Sequence, residues 1–334
     1  MREQALKRLL ETAGWADAVR RRLAGDASNR SFHRLCSHGG ATVILMDADP
    51  RACGPLTPFI RATTHLRSLR LSAPEIIAAD EIHGFLLLED LGDALFARVA
   101  GDNPQLEEEL YFAVIDLLAE LRSAPSAGDF PPYSPPQQAG LAALSFEWYR
   151  PAATSTPLPA AAENRFRRII SGLISALPGP MVFVHRDCHA ENLIWLPERV
   201  GIRRVGLIDY QDAALGHPAY DLVSLLEDAR RDIAAPLREA SLRRYCDLTG
   251  VSAAALEQAI AICGAQRNLR IIGVFARLAI RDGKPGYLKL LPRVWAHLMH
   301  DLSQPVLAEL AEFVTEYLPG PDAATLRRIG EKAN

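Results

Sequence analysis

The fold of this chain is decided by one polar stretch that follows a short apolar run. It reads His185-Arg186-Asp187-Cys188-His189-Ala190-Glu191-Asn192. A second apolar run, 205–208, ends directly before Asp209. One carboxylate and one amide thus stand five residues apart, and a second carboxylate follows at a later strand end. Catalytic side chains commonly lie on loops that rigid strands position, so these three residues are the candidate centre of a site.

This spacing matches the pattern H-R-D-x-x-x-x-N, in which the Asp accepts the proton of an attacking hydroxyl during phosphoryl transfer and the Asn holds Mg²⁺. We therefore expect Asp187 to be the base, and Asn192 and Asp209 to be the metal ligands. One amide and one carboxylate suffice, because Mg²⁺ keeps several waters and also binds the ATP phosphates. His185 is expected to support the loop by hydrogen bonding, with His189 beside the metal or the substrate.

Two features of this segment allow other interpretations. Zinc sites need three or four converging ligands, and His185, Asp187, His189 and Asp209 could in principle supply them. The zinc interpretation leaves the spacing to the Asn at 192 unexplained and is therefore disfavoured. Asp212 either supports the metal site or caps the following turn, and the residues favour neither role.

The bulk composition indicates an ordinary globular protein. The chain has 334 residues, of which 49% are hydrophobic and 23% charged, and its net charge of −3 offers no basic surplus for nucleic acid. Five scattered cysteines without a C-x-x-C pair fit free thiols in a reducing compartment. No apolar h-region opens the chain, and no uninterrupted apolar span reaches 18 residues. We expect a cytoplasmic monomer or weak dimer with a small-molecule substrate and no membrane or nucleic-acid partner.

Periodicity predicts an α+β chain of two lobes. Residues 1–89 are predicted to form a small nucleotide-binding N-lobe, a five-stranded sheet plus helix. Its predicted elements are a helix at 2–13, two strands within 21–36 around a turn at 25–29, a strand at 41–46, a helix at 58–69 and strands at 74–78 and 84–88. Residues 89–92 form the predicted hinge.

Residues 90–334 are predicted to form a larger, mainly helical C-lobe. A helix is expected at 104–122 and helices throughout 220–329. Short strands at 181–184, 192–195 and 204–208 are expected to present the catalytic residues. Prolines predict loops at 124–138 and 151–159, since proline cannot continue a helix.

Nucleotide-binding groups are predicted in the N-lobe and at the hinge. Backbone N–H groups of the turn that carries Ser28 and Asn29 would cover the ATP phosphates, and backbone groups from Glu89 to Leu91 would meet the adenine. No lysine lies on the strand 41–46, where kinases carry the lysine that pairs with the phosphates. Arg30 or Arg34 could supply that positive charge instead. No G-x-x-x-x-G-K-[ST] sequence occurs, which argues against a P-loop protein.

These motifs resemble the aminoglycoside phosphotransferase superfamily, which has a protein-kinase-like fold. Several segments look like one branch of it, the cytoplasmic kinases that phosphorylate the anomeric hydroxyl of N-acetylmuramate and N-acetylglucosamine in cell-wall recycling. These segments are 25–28, 46–48, 84–92, 220–228, 266–270, 273–278 and 281–284. The resemblance implies an ATP- and Mg²⁺-dependent enzyme that forms a sugar 1-phosphate. It also implies that Asp221 is a buried brace for the catalytic loop, although an ordinary position at a helix N-terminus would explain the same residue.

Acceptor groups are predicted in the C-lobe. N-acetylmuramate carries a carboxylate that Arg267, Arg270 or Arg277 could bind, although a solvated helix face would show the same pattern. Trp148 could stack on a sugar ring or could be buried packing. Three other functions stay open, namely an aminoglycoside, choline or homoserine kinase, a nucleotide-binding pseudokinase, and the zinc hydrolase.

Overall fold

The structure is a computed structural model that describes residues 1–23, 29–125 and 129–332. The described α-helices, in chain order, are α1 (Arg2–Thr12), α2 (Pro50–Cys53), α3 (Thr57–Ser68), α4 (Phe96–Asp102), α5 (Glu107–Ser123), α6 (Pro135–Ala142), α7 (Arg150–Thr154), α8 (Ala160–Ser175), α9 (Ala219–Leu226), α10 (Ala235–Thr249), α11 (Ala253–Ile280), α12 (Leu291–Leu302), α13 (Ala308–Tyr317) and α14 (Ala323–Glu331). The strands are β1 (Val19–Arg22), β2 (Ser31–Cys36), β3 (Thr42–Asp47), β4 (Ile76–Asp80), β5 (Phe85–Glu89), β6 (Val182–Val184), β7 (Leu193–Trp195), β8 (Val205–Leu207) and β9 (Ala214–Gly216).

The chain divides into two compact units. The first unit joins Met1–Val114 with Ala190–Ala213, and the second joins Ile115–His189 with Ala214–Asn334. Strand β5 ends at Glu89, where the sequence predicts the N-lobe to end. The first unit nevertheless continues to Val114 and includes the β7–β8 pair, and the predicted lobe boundary stays a prediction.

The first unit is built on an antiparallel five-stranded sheet in the order β1-β2-β3-β5-β4. Leu45 of β3 pairs with Leu87 of β5, and both side chains are fully buried. One face of the sheet packs against Ala5 and neighbouring apolar residues of α1. Each leucine buried in this way contributes about 2 kcal/mol of stabilisation. The five strands and the helix α3 confirm the secondary structure predicted for this part of the chain.

The second unit is mainly helical and is organised around α11. This 28-residue helix passes through a large apolar cluster, which includes Phe166 of α8 and Phe313 of α13. By length and composition alone α11 could cross a membrane, although polar residues such as Arg267 and Asn268 interrupt its apolar sequence. Its most apolar window is, however, 89% buried inside the protein, as in the core helix of a globular domain.

Two predicted loops are wrong in part, because proline in the first turn of a helix does not interrupt it. Helix α6 begins at Pro135, inside the predicted loop 124–138, and Ser134 caps it by accepting a hydrogen bond from the Gln137 amide. Helix α7 contains Pro151 in its first turn, inside the predicted loop 151–159. A missing N–H costs nothing in the first turn of a helix, where it has no partner within the helix.

Gly273 marks a close approach between α11 and the one-turn π-helix Ser145–Tyr149. A Cβ atom at Gly273 would lie 2.2 Å from the carbonyl carbon of Leu144 and 2.4 Å from the amide nitrogen of Ser145. Gly273→Ala should therefore push the two backbones apart and cost about 1–3 kcal/mol of unfolding free energy. Gly172→Ala is the matched control, because nothing lies within 4 Å of a Cβ at this helical glycine in α8. It should be neutral or stabilising by up to about 1 kcal/mol. Thermal unfolding checks both, and equal melting temperatures would contradict the close approach.

Candidate active site

The loop after β6 is held by one buried carboxylate. Asp221, in the first turn of α9, is 2% exposed. Its two oxygens accept hydrogen bonds from the backbone amides of His185 (2.6 Å) and Arg186 (2.8 Å). Arg186 has a φ of +75°, a left-handed conformation that costs a non-glycine residue about 1–3 kcal/mol. The two hydrogen bonds fix the backbone on both sides of this strained residue.

Further hydrogen bonds complete the loop. The Asp187 amide donates to Nδ1 of His185 (3.4 Å), and the His189 amide donates to the Asp187 carbonyl (3.0 Å). Burial lowers the pKa of His189 to about 4, so its ring is neutral at physiological pH. Burial raises the pKa of Asp221, while His185 and the two amide hydrogen bonds oppose that rise. These contacts place His185, His189 and Asp221 around the Asp187 backbone, and their functional roles stay predictions.

The Asp187 carboxylate faces a cation. Its side chain is 29% exposed, and its Oδ1 lies 3.7 Å from Nη1 of Arg270. Burial alone would raise the pKa of Asp187, but Arg270 and Arg267 outweigh burial, and the pKa lies below its ordinary value. The carboxylate is therefore ionised at neutral pH and can accept a hydrogen bond or a proton from a hydroxyl group.

Asn192 and Asp209 lie at the same end of the β7–β8 pair, in the first unit. Leu193 pairs with Leu207, and the Ile208 amide donates to the Asn192 carbonyl (3.2 Å), so Asp209 follows directly beyond this contact. Asp209 is exposed, with a φ of +63°, and its Oδ1 accepts a hydrogen bond from the Gln211 side chain (2.9 Å).

Tyr210 anchors this turn to α3. The Tyr210 ring is fully buried and stacks on Phe59 of α3, with 5.1 Å between ring centroids. Its hydroxyl lies 2.8 Å from that of Thr63. The residue after Asp209 is therefore fixed to α3, while the Asp209 side chain itself is left at the surface.

The oxygens of this corner suit Mg²⁺. One amide oxygen at Asn192 and one carboxylate at Asp209 are hard ligands, and a divalent ion would complete its shell with water and phosphate oxygens. Among the residues that the structure describes, no three His, Cys, Asp or Glu side chains lie close enough to hold a metal by themselves. Asp212 is exposed beyond this corner.

A small cluster of apolar side chains lies next to the predicted hinge. Leu91, Ile194 and Leu196 form a small cluster, with Leu95 and Ile208 partly buried against it. Glu89, which ends β5, accepts a hydrogen bond from Arg199 (2.6 Å) through its carboxylate. The hinge therefore offers backbone groups above an apolar surface, which is suited to a flat aromatic base.

Arg34 has partners other than the predicted phosphates. Its guanidinium donates to Asp90 (2.6 Å from Nε) and to Asp93 (2.6 Å from Nη1) and thereby ties β2 to the hinge. The Asn29 side chain donates to the Ala52 carbonyl (3.4 Å). Ser28 and the rest of the turn 25–28 lie outside the described residues. The phosphate contacts stay predictions.

The three arginines of α11 differ in their surroundings. Arg267 is buried and donates to the Ser224 hydroxyl (3.0 Å) and the Glu227 carbonyl (3.4 Å), so it does not lie on a solvated face. Arg270 contacts the candidate base, and Arg277 is partly exposed. Trp148 lies on the π-helix and packs, partly buried, against the apolar cluster around α11, which supports its interpretation as a packing residue.

Sequence reasoning missed two tyrosines near Asp187, the candidate base. The Tyr220 hydroxyl accepts a hydrogen bond from Nη1 of Arg270 (3.2 Å) and lies 3.4 Å from the Tyr133 hydroxyl. The Arg186 guanidinium lies 4.4 Å from the centre of the Tyr133 ring. Tyr220 directly precedes the brace residue, but nothing in the sequence shows that it contacts a residue fifty positions later.

Comparison with known proteins identifies the family of this chain. The model of the phosphotransferase enzyme family matches residues 19–257. An N-acetylmuramate/N-acetylglucosamine kinase of Caulobacter vibrioides is 36% identical over 95% of this chain and 97% of its own length. A protein of the same name from Pseudomonas aeruginosa is 31% identical over 96% of each chain.

Solved structures share the fold. Choline kinase LicA from Streptococcus pneumoniae superposes with a TM-score of 0.59 at 15% identity, over 94% of this chain and 99% of its own. The aminoglycoside-3'-phosphotransferase of type VIII gives a TM-score of 0.56 at 18% identity, over 81% and 98%. These likenesses confirm the predicted kinase-like fold. The chain therefore belongs to the phosphotransferase enzyme family, whose members transfer a phosphoryl group to an alcohol acceptor.

Proposed function

We propose that this protein is an ATP-dependent kinase of N-acetylmuramate and N-acetylglucosamine that forms the sugar 1-phosphate. The observation that carries the proposal is the Asp187 carboxylate, kept ionised on a loop that Asp221 braces. The two curated relatives, similar over nearly the whole chain, are named for these two sugars.

Asp187 would orient the anomeric hydroxyl and accept its proton. The sugar oxygen forms a bond to the γ-phosphorus, the bond from that phosphorus to the leaving oxygen of ADP breaks, and the proton moves to the carboxylate. The transition state of such transfers is loose, so orientation of the hydroxyl matters more than the strength of the base. A carboxylate whose pKa is low is therefore adequate for this task.

The first unit would supply the nucleotide and metal groups. Backbone groups from Glu89 to Leu91 would bind the adenine above the cluster of Leu91, Ile194 and Leu196. Asn192 and Asp209 would hold Mg²⁺, which neutralises charge on the phosphate oxygens when bound. Asp212 would support this corner, and the turn with Ser28 and Asn29 would cover the phosphates. We expect the enzyme to act in the cytoplasm, where ATP is available.

A panel of acceptors tests the proposal. Purified protein with Mg·ATP should release ADP with N-acetylmuramate and N-acetylglucosamine, and phosphorus NMR should place the new phosphate on the anomeric oxygen. Kanamycin, choline and homoserine should give at most background rates. Preferential turnover of any of those three would replace the proposed acceptor, and ATP binding without turnover on any acceptor would indicate a pseudokinase.

A further inference from the structure

The burial of helix α11 changes at Arg270. Every residue from Ala259 to Leu269 is buried, so this half of the helix is core on all sides. From Arg270 onward a partly exposed stripe opens, with Val274 one turn later and Arg277 one turn after that. We call these three residues the acceptor stripe. At 1.5 Å of rise per residue it extends about 10 Å along the helix, which is about the length of a substituted monosaccharide.

The stripe begins at the candidate base. Arg270 lies 3.7 Å from Asp187, and its side chain is 16% exposed. A guanidinium has five N–H donors, and within the described residues Arg270 makes one side-chain hydrogen bond, from Nη1 to Tyr220. Its Nε and Nη2 groups are left as donors next to the point where the acceptor hydroxyl would meet Asp187.

The stripe ends at a second cation with unused donors. Within the ranges that the structure describes, the side chain of Arg277 makes no hydrogen bond, and its Nε is shielded from solvent. The Arg281 hydrogen bonds and, to a smaller extent, the charge of Arg277 lower the pKa of Asp282. Asp282 already accepts two hydrogen bonds from Arg281, of 2.7 and 3.0 Å. Long side chains of a helix generally lean toward its N-terminus, which for Arg277 is the direction of Val274.

Arg267 does not belong to this stripe. It lies one turn before Arg270, on the buried half of α11, and donates to Ser224 and to the Glu227 carbonyl. Its charge contributes to the low pKa of Asp187, but its donors are directed into the protein. The structure thus separates one buried arginine from two that are partly exposed.

We propose that the acceptor stripe binds two substituents of the sugar, the acetamido group and the lactyl carboxylate. Arg270 donates to the acetamido carbonyl, and Arg277 pairs with the carboxylate. This inference rests on the proposed function. The acetamido group stands on the carbon beside the anomeric carbon, so it is the first substituent that a donor next to Asp187 can reach. Val274 offers an apolar surface for the methyl groups between the two cations.

The order of groups along the stripe matches the order along the sugar. The anomeric hydroxyl, the acetamido group and the lactyl carboxylate of N-acetylmuramate follow on consecutive ring carbons. A base, a cation, an apolar residue and a second cation follow in the same sequence from Asp187 to Arg277. A polycationic acceptor would meet repulsion at both arginines, so the stripe disfavours an aminoglycoside.

Arg277→Gln tests the carboxylate contact. The variant should raise the KM for N-acetylmuramate by about 10- to 100-fold, the range of a hydrogen bond between charged groups, and leave kcat/KM for N-acetylglucosamine within about twofold. Arg277→Lys should restore part of the affinity, because it keeps the charge. Arg281→Gln is the matched control, since it removes a cation one turn farther along that is already paired with Asp282.

Arg270→Gln tests the acetamido contact. The ratio of kcat/KM for N-acetylglucosamine to that for glucose should fall by about tenfold, because the neutral side chain loses the charged donors. Arg270→Lys provides a second variant that keeps the charge next to Asp187, and melting temperatures show whether each variant is folded. An unchanged ratio in both folded variants would overturn the role of Arg270.

The outcomes separate the stripe from the proposed function. Wild-type turnover of both sugars with equal losses on both in Arg277→Gln would overturn the stripe alone, and Arg277 would then belong to a solvated face. Wild-type protein that turns over neither sugar would overturn the proposed function and the stripe with it. Loss confined to N-acetylmuramate would support both.

Discussion

Asp187→Asn should lower kcat by about 100- to 10,000-fold, the range that a positioned general base contributes. The amide keeps the shape of the carboxylate and can still accept a hydrogen bond, but it cannot take up the proton. The variant also leaves the Arg270 charge without its partner 3.7 Å away. Nucleotide affinity should stay within about threefold, because the proposed nucleotide-binding residues lie in the other unit.

Steady-state kinetics and calorimetric titration with ADP measure the two effects separately. Asp247→Asn, the same exchange at an exposed position on α10, is the matched control and should leave kcat unchanged. Because the pKa of Asp187 lies below its ordinary value, the wild-type rate should show no titration of this group between about pH 5 and pH 8. A variant that keeps more than a tenth of the wild-type kcat would exclude Asp187 as the base.

The second large effect is expected from Asp221→Ala. The exchange leaves the amides of His185 and Arg186 buried and without their acceptor. Each buried donor left in this way costs about 1–3 kcal/mol, so the loss of stability should be about 2–6 kcal/mol. Turnover should fall at least 100-fold even below the melting transition, because the strained Arg186 backbone loses the contacts that hold it.

Asp301→Asn is a control for the removal of any buried acid. Asp301 is as buried as Asp221, but burial and the neighbouring Glu227 raise its pKa well above the ordinary value, which favours its neutral form. An amide replaces a neutral acid with little change, and kcat should stay near the wild-type value. Equal losses of kcat in both variants would show that Asp221 acts through general stability and not through the loop.

The sequence predicts the candidate site because its chemistry is local. The spacing of Asp187 and Asn192 lies within one loop, and Asp209 directly follows a short strand, so no long-range contact is needed to find them. The five strands of the first unit are found for the same reason, because alternation and turn residues are properties of adjacent positions. Their pairing in the order β1-β2-β3-β5-β4 required the structure.

The surroundings of the base could not be predicted, because they depend on which side of a helix faces the core. Helix α11 is buried on all sides over its middle section, so it lacks the 3.6-residue alternation that would mark one side as exposed. Arg267 and Arg270, three residues apart, therefore look equivalent in the sequence. In the structure the first is buried in the interior and the second lies beside Asp187, the candidate base.

The contacts of Asp221 link the loop that carries Asp187 to a later part of the chain. The backbone at 185 and 186 is fixed by a side chain that the ribosome adds 35 or more residues later. Until α9 has been made and has packed against this loop, the two hydrogen bonds cannot form and cannot offset the strain at Arg186. A nascent or partly unfolded chain without α9 in place therefore lacks the two hydrogen bonds that fix the loop carrying Asp187.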